Sequence, residues 1–178
     1  MQDNVELVKK FYKVMDNILH MKVKDFLDKY RDTLPKYEVI GEDTSISNII
    51  SHFENNVSYL LVVGRNRRIK GSIAYSEFLN IFGRSSTTAL SAPFSSVSRS
   101  LRHSRVPLEA FSNMNASDIL FSSPPCVNED TSVREALEYM YKTGSHYVVV
   151  VNHEREIIGV ITLHSIFRAI VKELKSYK

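Results

Sequence analysis

The chain has 178 residues, of which 43% are hydrophobic and 24% are charged, and its formal net charge is +3. This length and composition are typical of a globular protein and exclude a disordered chain. Cys126 is the single cysteine, so an internal disulfide and a disulfide-stabilised secreted fold are excluded. Because there is no long apolar segment and no basic-then-apolar start, we expect a cytoplasmic protein without an export signal or a membrane span.

The positive charge is concentrated in two parts of the sequence. Positions 65–70 contain three arginines and a lysine. A serine-rich stretch further along the chain contains Arg84, Arg99, Arg102 and Arg105. Such clusters can bind phosphate groups or nucleic acid, although a solvated basic loop is the more common explanation.

An amphipathic helix is predicted over about residues 3–20, because apolar residues recur there at helical spacing. A second, shorter helix follows and should end before Pro35, since proline disfavours the helical conformation of the preceding residue. The first helix lies outside the internal repeat that occupies the rest of the chain.

The repeat is clearest where Glu42-Asp43-Thr44-Ser45-Ile46 is echoed by Glu129-Asp130-Thr131-Ser132-Val133. After this motif, each copy continues with a helical pattern, an aliphatic strand, a polar turn, a second strand and a last helix. In the second copy, Thr131 or Ser132 can cap the first helix and Glu135 can complete a capping box. Each copy is therefore predicted to fold as strand, helix, strand, strand, helix.

The predicted strands are apolar along their whole length, so both faces of each sheet must be covered. Helices on one side of a three-stranded sheet cover only one face. We therefore predict an α/β fold in which the two repeats pack through their sheets about a pseudo-twofold axis, with two related clefts beside it. The predicted parts are an N-terminal helix (1–21), repeat 1 (22–83), a Ser/Arg-rich connector (84–114) and repeat 2 with the C-terminal helix (115–178).

This order of elements, present twice, resembles a tandem pair of cystathionine-beta-synthase (CBS) domains, also called a Bateman module. The resemblance covers about residues 22–83 and 115–174. It implies a regulatory module rather than an enzyme, with no catalytic residues and no cofactor. Many such modules bind AMP, ADP, ATP or S-adenosylmethionine in the clefts between the repeats. They commonly form homodimers, so the resemblance implies a homodimer, which the N-terminal helix could brace, or an effector protein that receives the signal.

In this family, the last strand ends with a Ser or Thr, and an Asp follows three residues later. A hydroxyl and a carboxylate at this spacing point the same way and can bind ribose, while the helix start favours phosphate. Repeat 2 has Thr162 and Ser165 at these positions, whereas repeat 1 has Ala74 and Glu77. Neither repeat has the complete pair. Thr162 could equally well only cap the last helix of repeat 2, and Glu77 could only interact with the positive end of the last helix of repeat 1.

By the same resemblance, each cleft is closed by one repeat and completed by the strand entrances of the other. The favoured cleft keeps a hydroxyl and a histidine, and its predicted ligand-binding residues are Thr33, Tyr37, Glu38, Val57, Ser58, His146, Tyr147, Val160, Thr162 and Ser165. Those of the second cleft are Tyr59, Ile73, Glu77, Ser122, Pro125 and Ser145. The arginine that often reaches the phosphates in this family is replaced by tyrosine in both repeats, so the linker arginines or a partner chain would have to supply the positive charge.

The alternative interpretation is a structural or nucleic-acid-associated module, with degenerate, empty clefts and a basic linker that engages RNA, DNA or an acidic protein. There is no Walker-type phosphate loop, so nucleotide hydrolysis is not expected. The six histidines and Cys126 lack the spacing of metal ligands, so no metal site is predicted. An enzymatic role rests on no particular residue.

Overall fold

The computed structural model describes residues 2–75, 108–120 and 124–176. The elements in chain order are α1 (Gln2–Leu19), α2 (Val23–Lys29), a 3-10 helix (Arg31–Thr33), β1 (Tyr37–Gly41), α3 (Ile46–Glu54), β2 (Tyr59–Val63), β3 (Ile69–Ala74), α4 (Leu108–Ser112), α5 (Ala116–Ile119), β4 (Cys126–Asn128), α6 (Val133–Thr143), β5 (Tyr147–Val151), β6 (Ile157–Thr162) and α7 (Leu163–Ser176). The predicted α/β class and the N-terminal helix are confirmed. The predicted last helix of repeat 1 and most of the connector lie outside the described residues.

The chain divides into two compact units that alternate along the sequence. Unit 1 comprises Met1–Pro35 and Pro125–Lys178, and unit 2 comprises Lys36–Pro124. Each unit contains one three-stranded sheet. No helix within the three described stretches is both long and apolar enough to cross a membrane.

The sheet of unit 1 has the order β4-β5-β6, with β4 parallel to β5 and β5 antiparallel to β6. One face carries Val148, Val150 and Ile161, which pack into a core with residues of α1, α2, α6 and α7. Val149 and Val160 lie opposite each other on the other face and are also buried. Both faces are covered, as the apolar strands predicted.

The sheet of unit 2 repeats this arrangement in the order β1-β2-β3, with the same parallel and antiparallel pairings. Leu60, Val62 and Ile73 pack into a core with α3, α4 and α5. Leu61 and Ser72 are register partners outside this core, and both are buried. The internal repeat in the sequence therefore corresponds to two sheets of the same topology.

In unit 1, the Glu-Asp-Thr-Ser segment at 129–132 forms backbone hydrogen bonds with the start of α2, a helix from the other half of the sequence. Val23 N donates to Thr131 O over 2.8 Å. Val133 N, the first amide of α6, donates to Met21 O over 2.9 Å. These bonds satisfy amides at two helix starts, which have no partner within their own helices. Residues 22–35 belong to repeat 1 by sequence, but they pack in unit 1.

Unit 2 contains the same junction with the halves exchanged. Ala116 N, at the start of α5, donates to Thr44 O over 2.8 Å. Ile46 N, at the start of α3, donates to Met114 O over 3.2 Å. The entering segments share a second sequence echo, Met-x-x-x-Asp-x-Leu at 21–27 and 114–120. The helices that begin in this echo are short and give little periodic signal in the sequence, so the echo gains its meaning from the paired junctions in the structure.

Asp130 strengthens the junction in unit 1 through contacts with two lysines and a histidine. Its carboxylate lies 2.8 Å from Lys22 Nζ, 3.2 Å from Lys24 Nζ and 3.0 Å from His153 Nε2. The hydrogen bond from Lys22, followed by that from Lys24, lowers the pKa of Asp130 from 3.8 to about 2. In unit 2, Asp43 makes no ion pair with any residue that the structure describes.

We expect Asp130→Asn to destabilise the protein in a pH-dependent manner. Because the pKa is lowered in the folded state, the carboxylate stabilises the fold fully above its unfolded pKa of 3.8. This contribution is lost as the pH falls towards the folded pKa of about 2. The difference in unfolding free energy between wild type and variant, measured by urea denaturation, should be constant above about pH 5 and shrink below it. The control, Asp43→Asn, removes a carboxylate that makes no ion pair with a described residue, so it should destabilise the protein less than Asp130→Asn. An unchanging difference for Asp130→Asn would contradict the assignment.

Candidate functional site

One end of the unit 1 sheet brings four predicted site residues together. Tyr147, the first residue of β5, lies opposite Thr162, the last residue of β6. His146 immediately precedes β5, and its carbonyl oxygen accepts a 3.0 Å hydrogen bond from Leu163 N at the start of α7. Ser165 lies in the first turn of α7. The end of β6, the start of β5 and the start of α7 therefore meet at this position.

Thr162 and Ser165 cap α7 through reciprocal hydrogen bonds. Ser165 N donates to Thr162 Oγ1 and Thr162 N donates to Ser165 Oγ, both over 2.9 Å. The Ser165 hydroxyl donates its own proton to Thr162 O over 2.8 Å. No described residue accepts the proton of the Thr162 hydroxyl. Thr162 is thus a helix cap that retains one hydrogen-bond donor, whereas the donor of Ser165 is used inside the protein.

The residues around this pair differ in accessibility. The His146 side chain is exposed, whereas Tyr147 is 7% exposed and Ser165 is fully buried. Ser145 Oγ donates to Tyr147 O over 2.8 Å and accepts from Tyr147 N over 3.3 Å, which fixes the backbone that leads into β5. The His146 imidazole therefore lies at the surface, just before the start of β5, where hydrogen bonds fix the backbone.

Two further predicted residues of unit 1 have backbone roles. Thr33, at the end of the 3-10 helix, is 4% exposed, and its hydroxyl donates to Tyr30 O over 2.8 Å. Pro125 precedes β4, and its carbonyl oxygen accepts a 2.9 Å hydrogen bond from Val149 N. Their predicted ligand contacts stay predictions.

The corresponding end of the unit 2 sheet is formed by Tyr37, Tyr59 and Ala74. Tyr37 pairs with Tyr59, and Tyr59 pairs with Ala74, in the same register as in unit 1. Ala74 occupies the position equivalent to Thr162, so this end lacks the hydroxyl. Burial raises the pKa of the Tyr37 phenol, which keeps it neutral.

The other predicted residues of unit 2 are engaged within that unit. Val57 and Ile73 are buried in its core. Ser58 N donates to Lys36 O over 2.8 Å. Glu38 forms an ion pair with His52. Glu77 and Ser122, predicted for the second cleft, lie outside the described residues.

Within the described parts of the chain, no group of three or more His, Cys, Asp or Glu side chains is placed to hold a metal ion. Burial raises the pKa of the Cys126 thiol, which favours the neutral form over the nucleophilic thiolate.

The CBS domain model matches the sequence at residues 23–84 and 116–172, which is more than half of the chain. The chain belongs to the CBS domain family. The two matched segments are the two repeats, so the tandem CBS pair that the sequence resembled is confirmed. No curated protein is detectably similar to the chain.

Solved structures of CBS domain proteins share this fold. A CBS domain-containing protein from Thermotoga maritima is 28% identical, with a TM-score of 0.60 over 86% of this chain and 96% of that one. The CBS domain of a membrane protein from Sphaerobacter thermophilus is 20% identical, with a TM-score of 0.61 over 93% and 97% of the two chains. A CBS domain protein from Pyrobaculum aerophilum, solved in complex with AMP, is 20% identical, with a TM-score of 0.56 over 88% and 99%.

Gly159, a residue of β6, has a packing role that the sequence did not indicate. A β-carbon at Gly159 would lie 2.6 Å from both δ-carbons of Leu27. Leu27 is a buried residue of α2 and belongs to the core of unit 1. The bare backbone at Gly159 therefore allows α2 to pack closely on β6, the strand that ends at Thr162.

We expect Gly159→Ala to reduce the free energy of unfolding by about 1–3 kcal/mol, because the added methyl overpacks the contact with Leu27. In a Leu27→Ala background, the same change should cost much less, since the colliding methyl groups are absent. A double-mutant cycle measured by urea denaturation tests this coupling. Additive effects of the two substitutions would contradict the proposed close contact.

Proposed function

We propose that this CBS pair is a regulatory module that binds an adenosine nucleotide, AMP, ADP or ATP, at the end of the unit 1 sheet that carries Thr162 and His146. The observation that carries the proposal is the Thr162 hydroxyl, which caps α7 by accepting from Ser165 N and whose proton is accepted by none of the described residues. The Pyrobaculum aerophilum CBS protein, solved with AMP, supports the ligand class. Modules of this family are generally regulatory, and the proposal includes no catalytic step.

The Thr162 hydroxyl and the exposed His146 imidazole are the side-chain donors that this site offers to a ribose or a phosphate. The amides of Leu163 and Ser165 at the start of α7 are already bonded within unit 1, so these two donors do not contribute to phosphate binding. Tyr147 follows His146 where many relatives have an arginine. We therefore propose that the adenosine part supplies most of the affinity and that AMP, ADP and ATP bind with similar dissociation constants.

The proposed output is a change in contact with a second copy of the chain or with an effector protein in the cytoplasm. The part of α1 up to Tyr12 supports a surface of this kind, because four of its apolar side chains are 52–62% exposed, namely Val5, Leu7, Val8 and Tyr12. The C-terminal half of the same helix, including Val14 and Ile18, is buried in the core of unit 1. Sedimentation with and without nucleotide would detect dimerisation.

Isothermal calorimetry tests the proposed site with AMP, ADP, ATP and S-adenosylmethionine. The wild type should bind the three adenosine nucleotides in the micromolar range, and Thr162→Ala should weaken binding about tenfold through the loss of one hydrogen bond. Loss of the cap should also reduce stability by about 1 kcal/mol.

Ser132→Ala is the matched control, because Ser132 Oγ caps α6 by accepting from Glu135 N over 3.2 Å and has no predicted ligand contact. It should reduce stability by a similar amount, about 1 kcal/mol, without changing the affinity. Equal affinities of wild type and Thr162→Ala would remove Thr162 from the site. Failure of all three nucleotides to bind would refute the proposed function.

A further inference from the structure

The two hairpins, β2–β3 in unit 2 and β5–β6 in unit 1, are closed by turns of the same backbone geometry. Gly64 N donates to Arg68 O over 3.0 Å, and Asn152 N donates to Glu156 O over 2.9 Å. The fourth residue of each turn is an arginine with positive φ, 57° at Arg67 and 65° at Arg155. Outside glycine this conformation is uncommon, so its occurrence at both positions marks the turns as equivalent.

The side chains of the two turns carry opposite charge. The unit 2 turn has Arg65, Arg67 and Arg68, and no Asp or Glu occurs anywhere from residue 55 to residue 76. The unit 1 turn, residues 152–156, has one arginine and two glutamates. Because the same backbone accommodates both sets of side chains, the turn geometry does not explain the cluster of arginines.

The three arginines of the unit 2 turn are exposed and form no ion pair with any residue in the described parts of the chain. Lys70 adds a fourth positive charge close to them. It is skipped in the register between the Val62–Gly71 and Val63–Ile69 pairs, as expected for a β-bulge. Its side chain runs back along the turn, since a β-carbon on Gly64 would lie only 2.7 Å from Lys70 Cε.

We propose that the three arginines of this basic turn, Arg65, Arg67 and Arg68, bind the phosphate backbone of double-stranded nucleic acid. Guanidinium groups bond phosphate oxygens in a bidentate manner, and closely spaced cations without carboxylates attract a polyanion. The turn lies at one end of the three-stranded β1-β2-β3 sheet, where its exposed side chains can reach phosphates on the surface of a duplex. Contacts to phosphate carry no sequence information, so binding is independent of base sequence.

The composition of the turn favours a duplex over two other anionic partners. Residues 64–68 include no aromatic side chain that could stack on unpaired bases and no large apolar side chain that could enter a lipid bilayer. The tyrosines that flank the turn in sequence, Tyr59 and Tyr75, lie at the opposite ends of β2 and β3 from the turn. The basic turn belongs to unit 2 and the proposed nucleotide-binding end to unit 1, and the two proposals rest on different observations.

Fluorescence anisotropy with the full chain and a labelled DNA duplex of arbitrary sequence tests the proposal, at salt concentrations between about 50 and 200 mM. With three phosphates contacted, the slope of log K against log salt should be about −3. Arg67→Gln should weaken binding several-fold and reduce the magnitude of this slope by about 1. Arg67→Lys should retain the slope, because it keeps the charge, while losing some affinity with the bidentate contact.

Arg155→Gln is the matched control, because it removes the same charge from the same backbone conformation in the other turn. It should leave both the affinity and the salt slope unchanged. Equal effects of Arg67→Gln and Arg155→Gln would show that net charge alone matters and would overturn the proposal. It would also be overturned by absence of duplex binding, or by tighter binding to a single strand or to vesicles containing an anionic phospholipid.

Discussion

The junction between each Glu-Asp-Thr-Ser segment and the short helix from the other half of the sequence is the interaction on which the rest of each unit depends. Backbone hydrogen bonds from Val23 to Thr131 and from Ala116 to Thr44 join segments that are far apart in the chain. Such contacts carry the entropic cost of closing a long loop. The buried side chains of α2 pack into the core of unit 1, and those of α5 pack into the core of unit 2. This burial of apolar surface offsets the entropic cost.

In unit 1, this junction also bears on the shape of the candidate site. Once α2 is docked, Leu27 lies against the bare backbone of Gly159, and β6 continues from there to Thr162. Thr162 then caps α7 and opposes Tyr147 in the sheet. The position of the candidate hydroxyl is thus set by strand pairing and helix capping together, both of which restrict its movement.

Duplication has kept the backbone of the two units alike while their surface chemistry has diverged. One sheet end carries Thr162 and the other Ala74, in equivalent registers. One hairpin turn is strongly basic, and the other, residues 152–156, contains two glutamates. A substitution at a strand end or in an exposed turn leaves the buried pattern intact, so chemistry can change there with little effect on folding.

The sequence by itself determined the elements and their repetition, because apolar periodicity, capping residues and turn residues act over a few neighbouring positions. It also singled out Thr162 through the family motif. Only the tertiary structure decided that α2 packs in unit 1 with the β4-β5-β6 sheet, and that Gly159 makes room for Leu27. It also decided that the Ser165 hydroxyl donates to the backbone oxygen of Thr162. These outcomes depend on contacts between residues distant in the chain, and local patterns do not specify which distant partner a residue meets.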